Sequence, residues 1–301
     1  LLYRAAKSAQ KADKMSVRCH ISLPEGFNRL FEALVGVAVP LSPLVRRVLA
    51  PNPGPFTFRG TGVYLVGARE EIVVLDPGPL RDDHLEALMR AIGPARVSHI
   101  LITHTHRDHS EAADALKAWS GAKTYGFGPQ GDASTGEEAD DHAFVPDVRL
   151  RDGDVITGDG FTLTVLHTPG HAFNHLCFAL EEERALFTGD HVMGWSSSVI
   201  APPDGDMAQY LAALRRLIAR DDAILYPTHG APVFDPAAYM TALLEHRLMR
   251  EREILAARAR GITVLADLVA AIYPGLDPGL RPAAALTVMA HLQKLDAQGP
   301  G

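Results

Sequence analysis

Thr103-His104-Thr105-His106-Arg107-Asp108-His109 is the stretch whose reading decides this chain. Three histidines and an aspartate fall within six residues, directly after the apolar run 97–102. That run is rich in Ile, Val and Leu and alternates little, so it reads as a buried strand. The cluster then sits on the loop leaving a core strand, where open sheets present their ligand sites. Neutral imidazoles and a carboxylate are the ligands that zinc and similar divalent metals prefer. Within one turn, His104 and His106 can face one centre while Asp108 and His109 face another. A polar surface loop is the bland alternative, and four ligand-type side chains at this spacing outweigh it.

His-x-His-x-Asp-His after a strand resembles the signature of the metallo-β-lactamase superfamily. Asp76-Pro77-Gly78, Thr168-Pro169-Gly170-His171, Thr188-Gly189-Asp190 and Pro227-Thr228-His229-Gly230 follow the same family order, so the core likeness covers residues 45–235. The resemblance implies an α/β fold, the αββα sandwich, with all ligand loops at one edge. It implies that His104, His106 and His171 hold one metal, that Asp108, His109 and His229 hold the other, and that Asp190 bridges them. Asp76 would support the metal loop from beneath. Two Zn2+ are the expected cofactors, with Fe or Mn as alternatives. Two such ions roughly 3.5–4 Å apart can share a hydroxide, which serves as a nucleophile near neutral pH. Asp108, Asp190 and His175 are the candidate catalytic residues. For His175, four residues after His171, an acid role and a bracing role are equally supported. His191 neighbours Asp190 and points the other way along a strand, so it is not expected to ligate.

At 301 residues the chain has room for one large domain and a small one. A hydrophobic content of 47% places it among soluble globular proteins. Cys19 and Cys177 lack any metal-binding spacing and read as ordinary thiols of a reducing compartment, so a cytoplasmic location is expected. No apolar run reaches the roughly 18–20 residues that span a bilayer. The formal charge of −7 argues against a generally basic nucleic-acid binder. Residues 236–301 carry seven Lys and Arg against six Asp and Glu, leaving 22 against 30 for the rest, so the main part holds the acidic balance.

In order along the chain, Met15-Ser16 looks like a natural start, and residues 1–15 read as a non-native or disordered leader. Residues 16–235 form the metallo-β-lactamase-like domain. Its opening is Pro-rich, with a short helix near 27–35. Strands are expected at 61–66, 71–75, 161–166, 176–180, 184–187 and 223–226. A helix over 82–92 would be capped by Asp82 or Asp83, and another over 109–119 would turn Ala112, Ala115, Leu116 and Trp119 inward. Residues 131–159 hold nine acidic residues against two arginines and read as a solvated loop, with His142 exposed in it. Residues 124–160 and 194–207 would shape the pocket, with Trp195 either a stacking wall or a packing residue.

Helices over 235–260, 262–273 and 281–295 make residues 236–301 a small C-terminal helical, winged-helix-like domain. Its arginines alternate with glutamates, as on a solvated, salt-bridged helix. The apolar stripe of 235–260 needs cover from the main domain or from a second subunit, which makes a homodimer an expected state. This part has no ligand cluster, so a chain ending near Asp235 is expected still to bind two ions. The tail segments Glu245-His246-Arg247, Ile272-Tyr273 and His291-Leu292-Gln293-Lys294-Leu295, with Gly189-Asp190-His191-Val192-Met193-Gly194, resemble the β-lactamase-like protein 2 group over 50–296. Animal members of that group are described as single-strand-selective endoribonucleases, and bacterial members are mostly uncharacterised hydrolases. The wing strands are short or absent here, and the acidic balance gives no broad RNA surface.

The expected activity is therefore metal-dependent hydrolysis, on single-stranded RNA phosphodiesters or on a small molecule and without a membrane partner. The alternatives are the same centre acting on a carboxylic ester, lactone, thioester or β-lactam, or an iron-dependent oxidoreductase on this fold. A di-iron oxidoreductase would carry Glu where His106 stands. A purely nucleic-acid-binding role would leave the ligand set unused.

Overall fold

The computed structural model describes residues 27, 28, 30–68, 70–129 and 144–298. The expected leader, Cys19 and His142 lie outside them. Seven strands form the first sheet in chain order: β1 (Ala38–Pro40), β2 (Val45–Leu49), β3 (Gly62–Val66), β4 (Glu71–Leu75), β5 (Arg96–Leu101), β6 (Lys123–Gly126) and β7 (Val148–Arg149). The pairings from β1 to β4 are antiparallel and those from β4 to β7 parallel. The second sheet holds β8 (Val155–Gly158), β9 (Phe161–His167), β10 (Leu176–Leu180), β11 (Ala185–Gly189) and β12 (Ile224–Pro227) in the order β12-β11-β10-β9-β8. Only its β11–β12 pair is parallel. Helix α1 (Asp82–Ile92) links β4 to β5, while α2 (Arg107–Ser110) and α3 (Ala113–Ser120) link β5 to β6. Helix α4 (Met207–Ile218) links β11 to β12, and α5 (Pro236–Ala259), α6 (Leu265–Ile272) and α7 (Arg281–Ala297) follow.

Strands β3, β4, β10 and β11 lack polar alternation because both their faces are covered. Tyr64, Val66 and Leu75 of the first sheet meet Leu163, Val165, Phe178 and Phe187 of the second between the sheets. Their neighbours Val63, Leu65 and Val74 turn outward against Leu88 and Leu116 of α1 and α3. On the far side, Leu186 and Leu225 pack on Leu211, Leu214 and Leu217 of α4 and on Tyr239, Met240 and Leu243 of α5. These layers give the αββα order. Ile254 and Ala257, later on α5, instead join Leu268, Val269, Ile272 and Val288 of α6 and α7 in a separate cluster.

Several local expectations change. No helix forms at 27–35 among the described residues. Leu30 and Leu34 are exposed, and the chain is drawn out by the bridge from Val35 to Leu49 and by Gly36 N–H donating to Leu49 O. The helix expected over 109–119 is two helices, because Gly78 takes the backbone groups at the break. Gly78 N–H donates to His109 O at 3.2 Å, and Ala112 N–H donates to Gly78 O at 3.0 Å. Trp119 is exposed, with Ala113 and Leu116 taking the inward face. Arg81, not an aspartate, stands at the cap position of α1, since Asp83 is engaged by Arg81 and by the His84 N–H. The second half of the acidic stretch 131–159 carries the edge strands β7 and β8. They are too short for periodicity to reveal, with Ile156 buried between exposed Val155 and Thr157.

Cys177 is fully buried on β10, beside the Thr168 hydroxyl, and burial pushes its thiol up to about 12. Thiolate is the reactive form, so in a Cys19→Ser chain the folded protein is expected to resist thiol reagents at about pH 8 and to react only on unfolding. Rapid labelling of the native chain would contradict this burial.

Candidate metal centre

Each ligand-type side chain lies just past a strand end, on the loop that follows it or, for Asp108 and His109, in the short helix α2. β5 delivers His104, His106, Asp108 and His109, β9 leads to His171, β11 to Asp190, and β12 to His229. Gly170 fixes the approach of His171. Its φ is +136°, and a Cβ there would lie 2.3 Å from the Tyr210 Cα of α4, so only glycine fits against that helix. The Asp206 N–H closes on Gly170 O at 2.9 Å.

The side chains gather into overlapping groups. His104, His106 and His171 place their ligand atoms within 4.8 Å of one another, as do Asp108, His109 and His229, and His104, His109 and Asp190. His106 Nδ1 stands 2.7 Å from His104 Nε2 and 3.2 Å from His171 Nε2. His229 Nε2 stands 3.1 Å from Asp108 Oδ2. Asp190 lies between the two sets: its Oδ1 is 3.6 Å from His109 Nε2 and 3.4 Å from His229 Nε2, and its Oδ2 is 3.8 Å from His171 Nε2.

The outward nitrogens determine what faces inward. His109 Nδ1 donates to Asp76 Oδ2 at 2.8 Å, His171 Nδ1 to Val199 O at 2.7 Å, and His229 Nδ1 to Gly60 O at 3.2 Å. Thr103 Oγ1 gives its proton to Asp76 Oδ2 at 2.9 Å and so accepts from His104 Nδ1 at 3.0 Å. Those four imidazoles therefore turn their other ring nitrogen toward the centre, the orientation that metal-binding histidines adopt. His109 Nε2 and Asp190 Oδ1 are buried without a hydrogen-bond partner, as ligand atoms awaiting a cation would be. The donor set therefore fits a pair of divalent metals.

Charge leads to the same fit. Burial opposes ionisation of Asp108, but His109 and His229 outweigh it and hold the carboxyl far below its ordinary range. Asp190 is lowered in the same way, burial being outweighed by His229 and His109. Burial presses on His109 too, yet Asp108, Asp76 and Asp190 raise it well above a free imidazole. His104, deep among other histidines, is driven well below by burial and by its neighbours' charge. Buried carboxylates need cationic company, and bound metal supplies it without protonating the ligands.

His175 is fully buried with both ring nitrogens engaged: Asp190 N–H donates to Nε2 at 3.1 Å, and the Thr168 hydroxyl lies 2.9 Å from Nδ1. His191 is buried outside the ligand groups, its ring 4.6 Å from that of Tyr210. Phe58, at φ +57°, stacks on Trp195 at 4.7 Å and 8°. This pair stands on the His229 side, because Gly60 O and Gly194 N–H both bond to His229.

One family profile, described as the metallo-beta-lactamase superfamily, matches residues 57–229. The chain belongs to the metallo-β-lactamase superfamily. A second profile, the beta-lactamase associated winged helix domain, matches residues 265–300. The chain is similar to the lactamase-like protein adaB of Aspergillus niger, 32% identical over 258 residues, covering 79% of this chain and 76% of that protein. It is also similar to an atrochrysone carboxyl ACP thioesterase of Aspergillus chevalieri, 36% identical over 221 residues, 72% of this chain and 66% of that one. A beta-lactamase domain protein from Burkholderia ambifaria superposes with a TM-score of 0.76 at 22% identity, covering 90% of this chain and 91% of its own. At that identity the likeness shows the fold alone.

This metallo-β-lactamase superfamily hydrolase uses several residues that the ligand pattern does not reveal. Thr61 donates to Asp108 Oδ2 at 3.0 Å and is itself held by Asn52. Asp76 Oδ2 accepts from Thr228 Oγ1 at 3.1 Å, and Asp76 Oδ1 from Thr103 N–H at 2.8 Å. A signal was present for some of them, since Thr103, Thr168 and Thr228 each adjoin a ligand motif. Ser198, expected at the substrate entrance, is buried, and its hydroxyl donates to Asp190 O at 2.5 Å.

Proposed function

We propose that this hydrolase cleaves a carboxylic thioester, using two zinc ions held by His104, His106, His171, Asp108, His109 and His229 with Asp190 between them. The observation that carries the thioester reading is the likeness to a relative named as an ACP thioesterase over 72% of this chain. The aromatic wall of Phe58 and Trp195 beside His229 supports it, since it suits an apolar acyl group better than a polyanion. A nucleic-acid phosphodiester would instead call for a basic track.

A pair of divalent cations at this centre supplies Lewis acidity and acidifies water toward neutral pH. The chain's own residues orient and exclude. Asp108, whose side chain is 26% exposed against 11% for Asp190, is the more open carboxylate of the centre and, held ionised against burial by His109 and His229, is placed to orient attacking water by accepting a hydrogen bond from it. Thr61, donating to Oδ2, fixes which of its oxygens does so. His175 braces the Asp190 backbone and takes no proton, because both its nitrogens are occupied within the fold. Hydrolysis breaks the C–S bond and yields a carboxylate and a thiol.

The test is a panel of an acyl N-acetylcysteamine thioester, an acyl-ACP, a lactone, nitrocefin, bis-p-nitrophenyl phosphate and single-stranded RNA, with metal analysis of the same preparation. The expected outcome is two zinc per chain and kcat/KM on thioesters at least ~100-fold above the phosphodiester. Preferential RNA cleavage would replace this reading with the phosphodiester one, and an iron-loaded chain consuming oxygen would end both. Among the described residues, no helix is long and apolar enough to cross a membrane.

A further inference from the structure

Residues 198–200 are gripped from two sides. Toward the centre, the Ser198 hydroxyl donates to the backbone carbonyl of Asp190 at 2.5 Å, and Val199 O accepts from His171 Nδ1 at 2.7 Å. From the other side, Arg247 of α5 donates through Nη2 to Ser198 O, and Ile200 N–H donates to the Thr287 hydroxyl of α7 at 3.4 Å. Three consecutive residues thus join two ligand positions to two helices of the C-terminal part.

The burial of Arg247 gives this link weight. It is the largest fully buried side chain among the described residues, 1% exposed, with its guanidinium 5.2 Å from the Tyr210 ring centroid and its Nε without a partner. Burying a guanidinium carries a desolvation penalty that an apolar side chain at this position of α5 would avoid. Thr287 and Ser198 are buried as well, so water does not compete for these bonds. The Val199 carbonyl decides which nitrogen of His171 faces the centre, and groups that orient ligating histidines in this way tune metal affinity.

We infer that the C-terminal helices are a structural part of the metal centre: Arg247 and Thr287 are positioning residues that hold 198–200 and, through the Val199 carbonyl, the ring of His171. The inference rests on the proposed metal binding, and it points against the expectation that a chain ending near Asp235 keeps both ions. It also gives α5 and α7 a role that does not depend on contact with substrate.

The experiment measures zinc affinity by chelator competition, ion by ion, on the full chain and on R247M, R247K, T287V and a reference variant, H171A. Circular dichroism controls the fold. R247M is expected to weaken the same ion that H171A weakens, by about 10–100-fold, while leaving the other within a few-fold. R247K, which keeps a donor, should recover part of the loss, and T287V should show a smaller loss of the same ion. A folded R247M that binds both ions as the wild type does would overturn the inference, as would equal weakening of both. If R247M does not fold, T287V decides by the same measure, and unchanged affinity there overturns it. A wild-type chain that binds no divalent metal fails the metal reading itself, an outcome visible before any variant is compared.

Discussion

Asp190→Ala is expected to lower kcat/KM by about a thousand-fold or more, and to leave the chain holding fewer than two metal ions, without unfolding the sheets. Asp190 Oδ1 faces His109 and His229 while Oδ2 faces His171, so this one carboxylate is shared by both ligand sets. Its removal takes a ligand from each and leaves imidazole nitrogens converging with less negative charge among them. A thousand-fold corresponds to about 4 kcal/mol of transition-state stabilisation, within what a metal centre contributes. The backbone around it is held separately, by His175 on its N–H and Ser198 on its carbonyl, so the loop keeps its path. Metal content, turnover on the best substrate and far-UV circular dichroism together check the prediction. Two ions with normal turnover would remove Asp190 from between the sets.

The second large effect falls on stability. Asp76 is fully buried at φ +51°, and four donors converge on its carboxylate: Thr103 N–H, the Thr103 and Thr228 hydroxyls, and His109 Nδ1. Asp76→Ala strands all four in a dry site, and leaving buried partners unpaired in this way costs about 3–5 kcal/mol. Tm should fall by roughly 10 °C or more for a domain of this size. Metal affinity should fall with it, because His109 loses the acceptor that fixes its tautomer. Asp76→Asn keeps the shape but turns an amide toward donors, so it should recover only part of the loss. Urea unfolding with an unchanged m-value measures the effect, and an Asp76→Ala chain within about 1 kcal/mol of wild type would show the carboxylate to be dispensable.

Much of this was legible in the residues. The ligand motifs repeat one local grammar, a buried strand with Thr near its end and a ligand-type side chain within three residues of that Thr, and the structure brings all seven side chains together. Strands such as β3 and β11 were readable because they are apolar on both faces, and β9 because it alternates. What escaped was set by distant partners. Nothing near 109–119 announces that Gly78 will break the helix, since the competing hydrogen bonds come from Gly78, far upstream of His109 and Ala112. Strands β7 and β8 hide in an acidic stretch because β7 buries no residue fully and β8 only Ile156. Arg247 reads as one more charge on a solvated helix, and only the packing of α5 against α4 shows that it is buried.

The convergence at Asp76 has a kinetic side. Its bond to Thr228 closes a span of 152 residues, joining the first sheet to the last strand of the second. The entropy of closing such a span is lost in full before the contact returns any energy. Contacts of that separation are expected to form late on the folding route, after each sheet has acquired its own strands. Ions that need residues from both ends of this span find no complete cradle in a half-folded chain. Metal bound at the proposed centre would then be expected to contribute little to the rate at which the chain folds and much to how slowly it comes apart, as a latch on the native state and not a template for reaching it.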